Sequence, residues 1–148
     1  MVSLFIFNTL HTGQNISKLP NLRVVRLWDT VIMGKAEGHG ENWHGHVTAL
    51  TVSPDFRRLG VANTLMAYLE EVSERKRAYF VDLFVRVSNQ VAIKMYTALG
   101  YIVYRTVLEY YSGDPDENAY DMRKALSRDV EKASVVPLAH PVRPEDVD

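Results

Sequence analysis

Six consecutive residues, Arg57-Arg58-Leu59-Gly60-Val61-Ala62, combine two fixed cations, a glycine and the start of an apolar-periodic run. Such a segment reads as a loop entering a helix, where unpaired backbone N–H groups and the positive end of the helix dipole attract anions. Gly60 lets the backbone approach a bound anion closely, and Arg57 and Arg58 add charge. The chemistry on offer is capture of a phosphate or pyrophosphate, although a lone segment of this kind reads equally well as an ordinary strand-to-helix turn. A dinucleotide loop needs further glycines, and a nucleoside triphosphate loop needs Gly-Lys-Ser/Thr after a longer gap; neither pattern is present. Asn89 and Tyr96 are spaced to share one helical face two turns apart, and His46 and Thr48 to share one face of a strand. Taken alone, Tyr96 reads as a core aromatic with a satisfied hydroxyl, and His46 as a surface or cross-strand histidine.

The elements that position these residues follow from periodicity. His46 to Val52 alternates as a strand, with His46, Thr48 and Leu50 on one face and Val47, Ala49 and Thr51 on the other, and Pro54 and Asp55 end it. Ala62, Leu65, Met66, Leu69 and Val72 form the apolar stripe of a helix that stops near Arg77, with Asn63, Glu70, Glu71 and Glu74 toward water. Tyr79 to Val87 is nearly continuous in β-formers, as expected of a strand covered on both faces. Strand, helix, strand in this order predicts a parallel pair, and a cofactor would sit beyond the carboxyl ends of its strands, where the Arg57 loop lies. A second helix starts with Ser88 as N-cap and runs to Gly100. Tyr101 to Tyr111 and Ala119 to Leu126 read as antiparallel strands joined by Ser112 to Glu117. Earlier, Asn8 to Asn21 carries loop chemistry, Arg23 to Trp28 and Val31 to Ala36 read as two strands around an Asp29-Thr30 turn, and Gly38, Gly40 and Asn42 make the next turn. From Ser127 the chain is polar and proline-bearing, a tail that packs in extended form or moves freely.

The 148 residues suffice for one domain with a real core. With 17 basic against 18 acidic residues the near-zero net charge gives no support for direct binding of nucleic acid. The absence of cysteine excludes disulfides, thiolate nucleophiles and cysteine metal sites. The apolar run Val2 to Phe7 is too short to span a membrane and lacks the flanks of a secretory leader, so no membrane association is expected and the cytoplasm is the expected compartment.

Two of these segments resemble one family. Arg57-x-x-Gly60-x-Ala62, after an apolar strand and opening an amphipathic helix, is similar to the acetyl-CoA pyrophosphate loop of the GNAT superfamily of N-acetyltransferases. Asn89-x-x-Ala92-x-x-x-Tyr96-x-x-x-Gly100-Tyr101 resembles that superfamily's second diagnostic segment. Met33 to Gly38, Trp43 to Leu50, Phe80 to Gln90, Glu109 to Tyr111 and His140 to Asp146 narrow the resemblance to catalytic subunits of the NatB N-terminal acetyltransferases. That resemblance implies an α/β GNAT fold, a mixed central sheet with a parallel strand pair at the acetyl-CoA cleft. It runs from about Met33 to the C-terminus and divides the chain into an atypical segment at 1–32, an acetyltransferase domain at 33–126 and a tail at 127–148. Family members begin with a strand, two helices and another strand, which residues 1–32 do not resemble, so the N-terminal elements are expected to be altered or incomplete.

The resemblance implies transfer of acetyl from acetyl-CoA to the α-amine of proteins starting Met-Asp, Met-Glu, Met-Asn or Met-Gln, without a metal. An α-amine of pKa roughly 7.7 to 8.0 needs only a modest base such as water, and a leaving thiolate of about 8.5 matches a tyrosine near ~10, which makes Tyr96 the candidate general acid. Arg57, Arg58, Leu59, Gly60, Val61 and Ala62 would hold the pyrophosphate and Asn89 the pantetheine arm. Backbone N–H groups at Leu50, Thr51 or Val52 would hold the oxyanion, with no choice among them. Accepting both carboxylates and amides calls for neutral donors, a role open to His46 and Thr48. Tyr110 and Tyr111 point to opposite strand faces, so one at most touches the peptide. The implied partners are nascent polypeptide N-termini and a helical-repeat NatB auxiliary subunit. Three readings stand: an active enzyme, a catalytically weak acetyl-CoA-binding form, and a non-catalytic module competing for the auxiliary subunit.

Overall fold

The computed structural model describes residues 3–8, 31–52 and 60–147. Among them a six-stranded sheet runs in the order β1-β2-β3-β4-β6-β5, formed by β1 (Ser3–Asn8), β2 (Val31–Glu37), β3 (His44–Thr51), β4 (Phe80–Arg86), β5 (Ile102–Tyr111) and β6 (Glu117–Ala125). Helix α1 (Val61–Arg75) joins β3 to β4, and α2 (Gln90–Ala98) joins β4 to β5. The β3–β4 pair is parallel, and the remaining pairs are antiparallel. The mixed sheet and its parallel pair are those the sequence implies. The strand expected over Arg23 to Trp28 lies outside the described residues.

The strand β4 is buried on both faces because alternate residues serve two different layers. Val81, Leu83 and Val85 join Leu65, Met66 and Leu69 of α1, Tyr96 of α2, and Met122 in the apolar core. Phe80, Asp82 and Phe84 face the other way, toward His44, His46 and Arg123. Gly45 fixes the seat of α1, since a Cβ there would come within 2.2 Å of Ser73 Oγ near the helix's far end. The helix therefore runs back along the sheet, and its first residues lie toward the carboxyl ends of β3 and β4.

The tail lies in extended form along the outer edge of β5. Leu138 N–H donates to Tyr104 O at 2.8 Å, Leu108 N–H to Val142 O at 2.8 Å and Val142 N–H to Thr106 O at 3.0 Å. An edge strand that would otherwise offer unpaired backbone groups is thereby covered. No helix among the described residues is long and apolar enough to cross a membrane.

Candidate functional site

The parallel ladder between β3 and β4 is short. It pairs His44 to Val47 with Phe80 to Leu83 and stops, although β3 continues to Thr51 and β4 to Arg86. The cause is local: β3 keeps its pairing with β2 but passes Ala49↔Met33 and Val47↔Gly34, which leaves Thr48 as the extra residue of a bulge. One inserted residue reverses the side-chain alternation. Leu50, expected on the His46 face, instead packs against the core that contains Val47, while Thr48 is exposed at the bend. His46 and Thr48 therefore do not share a regular strand face. The result is a cleft opening between two strands at the end where α1 begins.

Among the described residues the N-terminus of α1 is bare. Gly60 takes the N-cap position with φ 73°, in the left-handed region that favours glycine. The first helical hydrogen bond is Thr64 N–H to Gly60 O at 3.1 Å. No side chain caps the helix and no acidic residue stands in its first turn, so the Val61 and Ala62 end of a 15-residue helix keeps its positive pole uncompensated among the described residues. Arg57, Arg58 and Leu59 lie outside the described residues.

At α2 the cap is Asn89 and not Ser88. Asn89 Oδ1 accepts from Ala92 N–H at 3.2 Å. Ser88 is instead held from β6, its N–H donating to Glu117 Oε1 at 2.9 Å. Because the Asn89 oxygen is committed to the helix, only its amide N–H groups remain for a ligand. Two turns on, Tyr96 is 8% exposed and packs edge-on to Tyr101 at 5.9 Å. Its hydroxyl has no hydrogen-bond partner among the described residues, unlike Tyr101, whose hydroxyl donates to Glu70 Oε1 at 3.0 Å. Burial, with the neighbouring Tyr111, pushes the Tyr96 phenol up to about 12. The expected near-match with a leaving thiolate is therefore wider than the sequence suggested.

Tyr110 and Tyr111 also depart from expectation. Glu109 sits at φ 50°, its N–H donating to Asn118 Oδ1 at 2.9 Å, and the β5–β6 register breaks between Val107 and Tyr111. The break brings the adjacent tyrosines into contact, ring centroids 5.1 Å apart and nearly perpendicular. Tyr110 lies on Phe84 at 4.8 Å, Phe84 on His46 at 5.5 Å, and Arg86 covers Tyr111 at 4.3 Å. An aromatic row thus links His46 on β3 to Tyr111, which is close enough to Tyr96 to bear on its ionisation.

Beneath the row lies a charged layer that residue-by-residue reading missed. Asp82 is 4% exposed, with Oδ1 at 2.7 Å from His46 Nδ1 and Oδ2 at 3.5 Å from His44 Nε2. Burial opposes its ionisation, but the hydrogen bond from His46 and the charges of His44 and Arg123 hold it below the ordinary carboxylate value. His46 is raised in turn: burial and Lys35 lower it, and Asp82 and Glu37 outweigh them. Behind them Arg123, stacked on Phe80 and Tyr104, and Arg105 flank Asp121, whose carboxyl burial and the Asp82 charge push up. The only sequence signal is an aspartate inside the apolar run of β4. Glu37, His44 and His46 place one ligand atom each within 4.8 Å of one another. Nδ1 of His46 is spent on Asp82 and Nδ1 of His44 on Asn42 O at 2.6 Å, so the cluster reads as a proton-holding network.

Residues 7–101 match the acetyltransferase (GNAT) family. N-alpha-acetyltransferase 20 of Dictyostelium discoideum is 65% identical over 118 residues, 79% of this chain and 67% of that protein. The N-terminal acetyltransferase B complex catalytic subunit NAA20 of Arabidopsis thaliana is 63% identical over the same shares. Among solved structures, Chaetomium thermophilum Naa20 in complex with a bisubstrate analogue aligns with a TM-score of 0.73 at 41% identity, covering 79% of this chain and 70% of that one.

Proposed function

The chain belongs to the acetyltransferase (GNAT) family and, within it, to the N-terminal acetyltransferase catalytic subunits, and from that premise we propose that it acetylates the α-amine of proteins beginning Met-Asp, Met-Glu, Met-Asn or Met-Gln. It is an acyltransferase that takes its acetyl group from acetyl-CoA and needs no metal. We further propose that it works on nascent chains in the cytosol beside a helical-repeat NatB auxiliary subunit, with residues 33–126 as the catalytic unit, 1–32 as an atypical front and 127–148 as a tail. The observation that carries the reading is the short β3–β4 ladder, which ends at Val47 and Leu83 and opens a cleft beside the bare N-terminus of α1.

In this reading the pyrophosphate of acetyl-CoA lies on the Gly60, Val61 and Ala62 end of α1, and Arg57, Arg58 and Leu59 belong to the same binding segment, the two arginines adding charge. The Asn89 amide donates to the pantetheine arm. The α-amine, deprotonated through water, attacks the thioester carbonyl, and a backbone N–H of β3 beyond the ladder, at Leu50 or Thr51, receives the oxyanion. As the C–S bond breaks, the Tyr96 hydroxyl donates a hydrogen bond to sulfur. Full proton transfer from a phenol near 12 to a thiolate of about 8.5 runs uphill by ~5 kcal/mol, so sulfur takes its proton from solvent after leaving. Tyr110 and Tyr111, brought to one side by the break at Glu109, line the first residues of the peptide, and His46 meets the second side chain, with Thr48 at the bend beside it.

The test is a peptide panel with the purified chain and its auxiliary subunit. Met-Asp, Met-Glu, Met-Asn and Met-Gln peptides should be acetylated with kcat/KM at least about tenfold above Met-Leu and Ser-Ala peptides. Equal rates across the panel would remove the specificity assignment, and no turnover on any of them would remove the function.

A further inference from the structure

We propose that Asp82 is a positioning residue that fixes the tautomer of His46, so that the protonation of His46 decides whether the site favours an acidic or an amide side chain at the second position of the peptide. The inference rests on the proposed role of His46 as the group meeting that side chain.

Asp82 Oδ1, a carboxylate oxygen 2.7 Å from His46 Nδ1, can only accept, so Nδ1 carries the hydrogen. Neutral His46 then has its lone pair on Nε2, the ring nitrogen with no partner among the described residues. That lone pair repels a carboxylate and accepts from the NH2 of asparagine or glutamine. Protonated His46 presents Nε2–H, which donates to a carboxylate with full charge assistance. The phenyl ring of Phe84, 5.5 Å away, limits the imidazole from swinging to exchange its two nitrogens.

The surroundings place the switch where it can act. From β2, Lys35 stands directly across from His46 in register and is itself paired with Glu37 at 2.6 Å. From β3, His44 shares Asp82; from β5, Tyr110 reaches the same charges across Phe84; from β6, Arg123 stands behind Asp82. Asp82 is buried and held ionised, and although burial and Lys35 oppose it, the Asp82 hydrogen bond and charge, with Glu37, lift the imidazole above its ordinary value.

The measurement is kcat/KM for a Met-Asp and a Met-Asn peptide from about pH 6 to pH 9, a range over which the peptide carboxylate stays ionised. Titration of the α-amine is common to both substrates and cancels in the ratio. The Met-Asp to Met-Asn ratio should fall with rising pH by about ten- to a hundredfold, the weight of one charge-assisted hydrogen bond. Asp82→Asn, with the amide oxygen in place of the carboxylate, should move the midpoint of that fall to lower pH, and His46→Gln should abolish the fall. A flat wild-type ratio, with His46→Gln still weakening acceptor use, would overturn the switch and leave the His46 assignment standing. Unchanged kinetics on both peptides in His46→Gln would remove the assignment itself. An unmoved midpoint in a folded Asp82→Asn protein would remove Asp82 from the mechanism. Should that variant not fold, the wild-type profile still decides.

Discussion

Replacing Tyr96 by phenylalanine separates catalysis from stability because of how this side chain is buried. The ring packs on Tyr101 and the apolar core, and phenylalanine keeps those contacts. The hydroxyl has no hydrogen-bond partner among the described residues, so its loss should leave stability unchanged or raise it by up to about 1 kcal/mol, since an unsatisfied buried donor costs free energy. The same hydroxyl is the proposed donor to the departing sulfur, and removing it should slow acetyl transfer by ~10²-fold, equivalent to about 2.7 kcal/mol at the transition state. With the phenol near 12, both proteins should also show parallel pH–rate profiles below about pH 10, because Tyr96 does not titrate there. The assay pairs single-turnover kinetics with thermal melting and acetyl-CoA calorimetry. Wild-type transfer in the variant would return Tyr96 to a packing role, and a loss of more than about 2 kcal/mol of stability would show that the hydroxyl has a structural partner.

Changing Gly60 to leucine should weaken acetyl-CoA binding at least about tenfold while costing ~1–2 kcal/mol of stability for the left-handed backbone; unchanged affinity in calorimetry would remove the α1 terminus as the pyrophosphate site. Asn118→Ala frees the N–H of Glu109 and should raise the acceptor KM with little change in acetyl-CoA affinity, and adding Glu109→Gly should restore it by making φ 50° easy to hold. An unaffected KM would mean that the Tyr110–Tyr111 pair does not depend on that clamp. Because His46 is raised on folding, it contributes stability that is full below about pH 6.5 and fades as pH climbs through the raised folded value. The melting-temperature gap between wild type and His46→Gln should therefore be wider at low pH than at high pH, and a gap that widens upward would reverse the sign of the interaction.

Much of the fold is legible because its signals are long. The apolar stripe of α1, the β-rich run of β4 and Gly100 after α2 each span several agreeing residues, and the parallel pair follows from their order. What escaped the sequence turns on single residues. Ser88 and Asn89 are both good caps, and only the link from Ser88 to Glu117 decides between them. The bulge at Thr48 and the break at Glu109 each undo an alternation whose residues remain compatible with either face, so pattern alone misplaced Leu50 and separated Tyr110 from Tyr111. The layer of Asp82, His44, Arg123, Asp121 and Arg105 was invisible for another reason. Read singly, each charge belongs on the surface, and only the partners brought by β3, β5 and β6 make its burial tolerable.

The central claim is that the splayed strands, the bare helix terminus and Tyr96 together move an acetyl group from a thioester to an α-amine. It is tested most directly by mass spectrometry of a lysine-containing Met-Asp peptide after incubation with acetyl-CoA and the chain, with and without the auxiliary subunit, alongside assay of the CoA thiol released. One thiol per acetylated peptide is expected, with the acetyl on the α-nitrogen of methionine and no reaction when that nitrogen is already blocked. Thiol release without peptide product, or acetylation of the lysine with the α-amine left free, would contradict it.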